Sequence, residues 1–233
     1  MDCKFCATSK LKRIRNLNPD EIFDQASTIN LQSKFYYNRP ISNIVFMGMG
    51  EPLLNYINLI EGINKITSKD GLGMSPKRIT VSTSGISKLI IKMADENVKF
   101  NLAVSLHSAV EKTRNKIMPF TIKFPLTDLK EAIKYWYNKT QKIVTYEYIV
   151  WKGINDDMNH INALVDFCKS SPSKVNIIEY NKTSNDFFIS ADDSIIKKYI
   201  EELESNRIPV TIRKSRGKDI DAACGQLANK LKQ

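Results

Sequence analysis

The chain has 233 residues, of which 42% are hydrophobic and 26% charged, the balance of a globular protein with room for a sizeable core. It contains no run of about 18 apolar residues and no apolar leader, so the sequence supports neither a membrane span nor a secretory signal. Four cysteines without a regular framework argue against a disulfide scaffold and favour a reducing, cytoplasmic location. The net charge of +10 favours polyanionic partners, although a lysine-rich surface without such a partner explains it equally well.

Runs rich in β-branched residues alternate with runs of helical periodicity along the chain. In chain order, the predicted elements are a helix at 20–33, a buried strand at 41–47, a helix at 54–68, a strand at 77–83, a helix at 86–96, a strand at 99–106, a helix at 126–139, a strand at 143–150, a helix at 156–169, a strand at 174–180, a helix at 192–206 and a strand at 209–214. This alternation predicts parallel βαβ units, because parallel strands need a crossover connection.

The first two predicted helices have apolar faces that should point to the core. The first helix is expected to have Asn18 or Asp20 as its N-cap. Its buried face should contain Ile22, Ala26 and Ile29. The face predicted for the second helix consists of Ile57, Ile60, Ile63 and Ile66.

At least five βα units without a Rossmann phosphate fingerprint predict the α/β class, with an open or closed β/α barrel as the architecture. In such folds the chemistry takes place at the carboxyl ends of the strands. No linker interrupts the chain. We therefore expect one domain over residues 1–233, with a C-terminal extension over residues 215–233.

Cys3 and Cys6 form a Cys-x-x-Cys pair in which Phe5 immediately precedes the second cysteine. The pair matches the last two-thirds of a Cys-x3-Cys-x-aromatic-Cys loop, in which three thiolates hold a [4Fe–4S] cluster and leave one iron open. The third thiolate would stand four residues before Cys3, upstream of Met1, so the chain is expected to begin inside its own cofactor site. A thiol redox or zinc site is the alternative, but a thioredoxin-like context and a second metal pair are missing.

Four predicted strands are followed by residues suited to ligand binding. Gly50 and Glu51 follow the first strand, where glycine lets the backbone approach a ligand and a carboxylate can bind an ammonium group. The other candidates lie at or just past the ends of later strands and offer hydroxyl, imidazole and amide groups: Ser82, Ser105, Leu106, His107 and Asn181. Taken singly, each is also explained by a cap, a turn or a structural histidine. Together they place four candidate sites at successive strand ends.

The remaining cysteines differ in their surroundings. Cys224 lies among small residues and follows a basic run, and nearby cations favour the thiolate form; the cations are Arg213, Lys214, Arg216 and Lys218. Cys168 lies in an apolar helical run, so we expect it to be an inert core residue.

The ordered segments Cys-x-Phe-Cys, GMGEP, STSG, SLH, IEYN and DIDAACGQL resemble one family, the dual-specificity radical SAM RNA methyltransferases that methylate C2 of adenine in 23S rRNA and tRNA. The resemblance runs from residue 3 to about residue 231. It implies a radical SAM β/α barrel that is partial here, lacking the first barrel strand and the family's small N-terminal domain.

The resemblance also implies roles for individual residues. Cys3 and Cys6 would hold the [4Fe–4S] cluster, and Gly50 and Glu51 the methionine end of S-adenosylmethionine. Further contacts to S-adenosylmethionine would come from Ser82, Ser105, Leu106, His107 and Asn181. Cys224 would be methylated and would pass its methylene group to the base by radical chemistry, because C2 of adenine has no lone pair to attack a methylsulfonium.

The same resemblance implies 23S rRNA and tRNA as substrates, an external one-electron reductant, no membrane partner and a monomeric protein. Two alternatives stay open at this point. One is the related enzyme type that methylates C8 of the same adenine and confers antibiotic resistance. The other is an inactive RNA-binding remnant, suggested by the missing first cysteine.

Overall fold

A computed structural model describes residues 2–182, 187–215 and 226. Within these residues the α-helices and strands, in chain order, are α1 (Pro19–Tyr37), β1 (Ile44–Phe46), α2 (Tyr56–Thr67), β2 (Ile79–Thr83), α3 (Ser87–Asp95), β3 (Asn101–Ser105), α4 (Glu111–Ile117), α5 (Leu126–Thr140), β4 (Val144–Ile149), α6 (Met158–Cys168), β5 (Ser173–Ile178), α7 (Asp193–Ser205) and β6 (Val210–Arg213). The predicted alternation of strands and helices is confirmed. The short α4, whose sequence is largely polar, was not predicted.

The strands follow one another in the sheet in chain order, from β1 to β6. β1 pairs with β2 in parallel, with Ile44 opposite Ile79. β4 pairs in parallel with β3 on one side and β5 on the other, and β6 continues the sheet beside β5. The predicted α/β fold with parallel strands is therefore confirmed, and the carboxyl ends of neighbouring strands share one edge.

The chain divides into two compact units. The first unit consists of Met1–Lys12, Ser84–Asn97 and Ala103–Gln233, and the second consists of Arg13–Thr83 and Val98–Leu102. Among the described residues, the second unit contains α1, α2, β1 and β2, and the first contains the helices from α3 onward and the strands from β4 onward.

In the second unit, α1 begins with a capping box. The Asn18 side chain accepts a hydrogen bond from the Glu21 amide at 2.9 Å, and the Glu21 carboxylate accepts one from the Asn18 amide at 2.9 Å. The predicted cap at Asn18 is confirmed. Ile22 is buried as expected, but Ile29 is 54% exposed, and Asn30 takes its place on the buried face. The Asn30 side chain accepts a hydrogen bond from the Ile41 amide at 3.1 Å, which explains why a polar residue is buried there.

The predicted buried face of α2 is only partly correct. Ile63 and Ile66 are buried, but Ile57 is 68% exposed, and Leu59 is buried in its place. A helix advances about 100° per residue, so residues spaced by three drift around it and Ile57 lies about 180° from Ile66. The strand predicted at 41–47 is also shorter and less buried than expected, since β1 spans three residues and Val45 is 45% exposed.

In the first unit, β4 is buried along its whole length. Tyr146 packs edge to face against Phe167 of α6, so the even-numbered residues of β4 face the helices. Asn155, which follows β4, is fully buried and receives a hydrogen bond on its carbonyl from the Tyr199 hydroxyl of α7 at 2.6 Å. Cys168 is buried at the end of α6, as predicted.

Candidate active site

The Cys3–Cys6 segment forms a turn within the first unit. The Cys6 amide donates to the Cys3 carbonyl at 3.2 Å, so the two cysteines stand at the ends of one four-residue turn. The Ser9 hydroxyl lies 2.6 Å from the Cys3 carbonyl oxygen and 2.7 Å from that of Cys6, so it ties both ends of the turn together. The Lys4 amide donates to the carbonyl of Ile117 at 3.0 Å, which fixes the turn to the end of α4.

Apolar side chains surround this turn. The Phe5 ring, between the two cysteines, lies 4.9 Å from the His107 ring and 5.0 Å from that of Trp151. Cys3 is buried in this cluster, and Cys6 is packed against it and partly exposed. Burial raises the pKa of the Cys3 thiol to about 12. The turn therefore presents a neutral, water-excluded thiol until a cation favours its thiolate form.

His107 lies just past the end of β3 and is buried. Its backbone adopts the left-handed conformation, with a φ of +54°. Its Nδ1 accepts a hydrogen bond from the Ile149 amide at 3.3 Å. Burial lowers the pKa of the imidazole to about 3, so the ring is neutral at physiological pH. Because Nδ1 is the acceptor, the proton of the neutral ring lies on Nε2, which makes His107 a hydrogen-bond donor through that atom.

Two buried side chains bind the carbonyl groups around His107, and neither was expected from the sequence. The guanidinium of Arg114 donates through Nη1 to the carbonyls of Ser105 at 3.0 Å and Leu106 at 2.5 Å. The Asn155 amide donates to the His107 carbonyl at 2.8 Å. Arg114 stands in a mixed polar run and Asn155 follows a Gly-Ile pair, so neither position shows the apolar periodicity that predicts burial.

A third unexpected residue is Glu147, which lies in the middle of β4 and is buried. Its Oε1 accepts a hydrogen bond from Asn176 of β5 at 3.0 Å, and its Oε2 lies 3.7 Å from Nη1 of Arg213. Burial raises the pKa of the carboxyl. The sequence does carry a signal for Glu147, because it is an acidic residue inside a run of β-branched residues. A charge in a buried strand needs a partner, which marks such a residue as a candidate for the site.

Asn181 lies just past β5 and is buried beside Tyr180, whose ring contacts that of Trp151; Phe5, Trp151 and Tyr180 together form an aromatic cluster. Its side-chain amide donates to the Ser215 hydroxyl at 2.8 Å, which links it to the end of β6. The Gln226 side chain donates to the Lys182 carbonyl at 3.1 Å. Cys224, the expected methyl carrier, lies outside the described residues.

The other predicted residues belong to the second unit. Gly50 has a φ of +122°, which favours glycine, and Glu51 beside it is buried. One oxygen of the Glu51 carboxylate accepts a hydrogen bond from the Leu53 amide at 3.1 Å, so this residue also caps a short 3-10 turn. Ser82 is buried near the end of β2. In the first unit, the structure brings together Cys3, Cys6 and His107 through the Phe5 ring.

The Cys3–Cys6 turn fits part of the ligand set of an iron–sulfur cluster. It presents two thiols from one turn among apolar side chains, and cysteine thiolates are the ligands of such clusters. The Nε1 of Trp151 and the hydroxyl of Tyr180 are buried nearby and have no hydrogen-bond partner in the described part of the chain, so they are available to a bound group with acceptor atoms. Among the described residues, no set of three or more His, Cys, Asp or Glu converges on a metal position.

A sequence model of the radical SAM superfamily matches residues 1–165, more than half of the chain. The chain therefore belongs to the radical SAM superfamily. Membership implies S-adenosylmethionine and an iron–sulfur cluster as cofactors. No helix among the described residues is long and apolar enough to cross a membrane.

The chain also matches individual proteins along almost its whole length. The chain is 65% identical over 230 residues to the probable dual-specificity RNA methyltransferase RlmN of Flavobacterium psychrophilum, covering 99% of this chain and 66% of that protein. The protein of the same name from Thermus thermophilus is 39% identical over 229 residues, with 98% and 64% covered. A radical SAM methyltransferase from Sphaerobacter thermophilus superposes with a TM-score of 0.93 at 34% identity, over 97% of this chain and 66% of that one. The chain thus spans about two thirds of the length of these relatives.

Proposed function

We propose that this chain is the radical SAM part of an RNA methyltransferase that methylates C2 of adenine in 23S rRNA and tRNA. The observation that carries the proposal is the 65% identity, across 99% of the chain, to a probable dual-specificity RNA methyltransferase. RNA as the substrate is consistent with the net charge of +10. An external one-electron reductant and a monomeric state are part of the same proposal.

Cys3 and Cys6 are proposed to supply two thiolates to a [4Fe–4S] cluster. When bound, the cluster supplies the electron that cleaves S-adenosylmethionine. The protein's own contribution is to fix the thiols on a turn held by Ser9 and to exclude water with the rings of Phe5 and Trp151. An apolar, water-free surrounding protects a reactive radical from side reactions.

The S-adenosylmethionine contacts are proposed on residues whose surroundings suit them. His107 offers a donor at Nε2, and Asn181 offers an amide next to the aromatic cluster. Ser105 and Leu106 lie at the end of β3 with their carbonyls fixed by Arg114. In the second unit, we assign the methionine end of S-adenosylmethionine to Gly50 and Glu51. A further contact to the same ligand is assigned to Ser82.

Cys224 is proposed as the methyl carrier. Its thiolate would take a methyl group from one S-adenosylmethionine, which would leave as S-adenosylhomocysteine. That methyl group would lose a hydrogen atom to the 5′-deoxyadenosyl radical of a second S-adenosylmethionine, and the resulting carbon radical would add to C2 of adenine. A second thiol would then form a disulfide with Cys224 as the carbon–sulfur bond breaks. Support comes from the DIDAACGQL segment and from the cations that precede it, which favour the thiolate.

The test uses the chain preceded by the N-terminal residues of the Flavobacterium psychrophilum relative, here termed the joined protein. The joined protein is reconstituted anaerobically with iron, sulfide, S-adenosylmethionine and a reductant, and incubated with unmodified 23S rRNA and tRNA. Mass spectrometry of the digested RNA should find 2-methyladenosine. Finding 8-methyladenosine would assign the chain to the C8 enzyme type, and finding no methylated adenosine despite a bound cluster would contradict the proposal.

A further inference from the structure

We propose that Arg114 is a positioning residue of this site, which fixes the carbonyl groups at two strand ends and supplies the positive charge that balances the anionic centre held by Cys3 and Cys6. The inference rests on the proposed function, because it takes those cysteines as cluster ligands. Arg114 lies on α4, only three residues before Ile117, whose carbonyl anchors the Cys3–Cys6 turn.

The guanidinium of Arg114 binds main-chain carbonyls rather than a carboxylate. Nη1 donates to Ser105 and Leu106 at the end of β3, and Nη2 donates to the carbonyl of Ser84 just past β2 at 2.5 Å. The side chain is fully buried. A guanidinium is the side chain suited to this task, because its donors are held in a rigid planar fork.

The surrounding backbone is shaped to admit this guanidinium. Gly85 has a φ of +102°, and a Cβ at that position would lie 3.2 Å from Nη2 of Arg114 and 3.1 Å from a methyl carbon of Leu129. Any larger residue at position 85 would therefore press on the guanidinium in a conformation that L-residues avoid. The sulfur of Met118 lies 3.8 Å from Nη1 on another side.

The charge of Arg114 has no ion-pair partner within the described residues. Its Nε is buried and makes no hydrogen bond there. A buried cation is costly unless an opposite charge compensates it. Burial lowers the pKa of the Arg114 guanidinium to about 10, and the negative charge of Glu111 opposes this shift. A thiolate-ligated cluster on Cys3 and Cys6 would carry the missing negative charge.

The carbonyl contacts bear directly on the proposed ligand contacts. Arg114 holds the carbonyls of Ser105 and Leu106, and Asn155 holds that of His107. Three consecutive carbonyls are thus fixed by buried side chains, which holds His107 in its left-handed conformation. Removing the guanidinium should make the Ser105–His107 backbone less rigid and weaken the binding of S-adenosylmethionine.

The two contributions of Arg114, charge and fork, can be separated by substitution. Arg114→Lys keeps the positive charge but loses the planar set of guanidinium donors. Arg114→Met loses both. In the reconstituted joined protein, Arg114→Met should make reduction of the cluster about tenfold less favourable, which lowers the midpoint potential by about 59 mV for one electron. Arg114→Lys should leave the potential unchanged. Both variants should bind S-adenosylmethionine about tenfold more weakly, because each loses charge-assisted hydrogen bonds.

The potential is measured by a redox titration followed by electron paramagnetic resonance, and the affinity by equilibrium dialysis of S-adenosylmethionine. Lys112→Met removes an exposed cation from the same helix and should change neither value. Arg114→Gln replaces the methionine variant if the latter does not fold, as judged by circular dichroism. An unchanged potential and an unchanged affinity in the uncharged variant would overturn the inference. Failure of the unsubstituted joined protein to bind a cluster would instead overturn the proposed function and this inference with it.

Discussion

His107 makes the stability of the fold depend on pH. Its pKa is lowered to about 3 by burial, whereas in an unfolded chain it is about 6.5. Between these values the unfolded chain binds a proton that the folded chain does not. The contribution of His107 to stability is therefore fully present above about pH 6.5 and is lost progressively as the pH falls towards 3.

We expect His107→Gln to flatten this dependence. Urea unfolding of the ligand-free chain should show that its free energy of unfolding falls less steeply between pH 6.5 and 4 than that of the parent. The difference in slope should approach about 1.4 kcal/mol per pH unit, the value for one proton. Parallel curves for the two proteins would show that His107 is protonated in the folded state.

The proposed methyl carrier gives a second prediction at a single residue. In the joined protein, Cys224→Ala should abolish adenine methylation, because alanine cannot form the thioether. Cleavage of S-adenosylmethionine should continue without methyl transfer. Cys168→Ala is the matched control, since Cys168 is buried at the end of α6 and should be needed only for packing. Retained methylation in the Cys224→Ala variant, measured by mass spectrometry of the RNA, would rule out the carrier role.

At the scale of elements, the start of α1 is fixed by the capping box of Asn18 and Glu21. Asn18→Ala should destabilise the chain by about 1 kcal/mol, because an amide of the first turn loses its acceptor. Urea unfolding measures the change. Gln32→Ala, on an exposed position in the second half of the same helix, is the control and should change the stability by less than about 0.5 kcal/mol. Equal effects of the two substitutions would mean that the cap does not contribute.

The elements were largely predictable because strands and helices differ in composition as well as in period. All six strands and six of the seven α-helices in the described residues correspond to predicted elements. The errors lie where local periodicity is a poor guide. α4 was missed because its buried residues, Arg114 and Ile117, stand in a charged run, and Ile57 was misplaced because a spacing of three drifts around a helix.

The candidate site was predictable only where a motif marks it. The Cys3–Cys6 pair is marked by its spacing, whereas His107 and Asn181 follow strand ends, where this class of fold places its chemistry. Arg114 and Asn155 act through main-chain carbonyls, and no spacing rule identifies such partners. Their roles depend on which strand ends the folded chain brings within 3 Å of a side chain.

At the scale of the whole molecule, the net charge of +10 predicts an RNA affinity that falls steeply with salt. Replacing Arg213, Lys214 and Arg216 by Ala should reduce the slope of log affinity against log salt by about 2 to 3 units if each contacts a phosphate. Filter binding of tRNA to the joined protein at several salt concentrations measures the slope.

The control for this experiment removes three positive charges elsewhere. Lys112, Lys169 and Lys198 are exposed and can be replaced by Ala together, giving the same change in net charge. If the slope of log affinity against log salt falls by the same amount in both triple variants, net charge alone determines binding. The segment around Arg213 would then not be a specific contact.

The fixed carbonyls at the end of β3 have a consequence for how the first unit exchanges hydrogen with solvent. The amides of Leu106 and His107 both donate to the Glu147 carbonyl, at 3.0 and 3.3 Å, while their own carbonyls are held by Arg114 and Asn155. Releasing these amides requires several buried contacts to break together, so they should exchange only when the unit unfolds as a whole. In heavy water, a peptide containing Leu106 and His107 should remain unlabelled long after one from the exposed end of α1 is saturated.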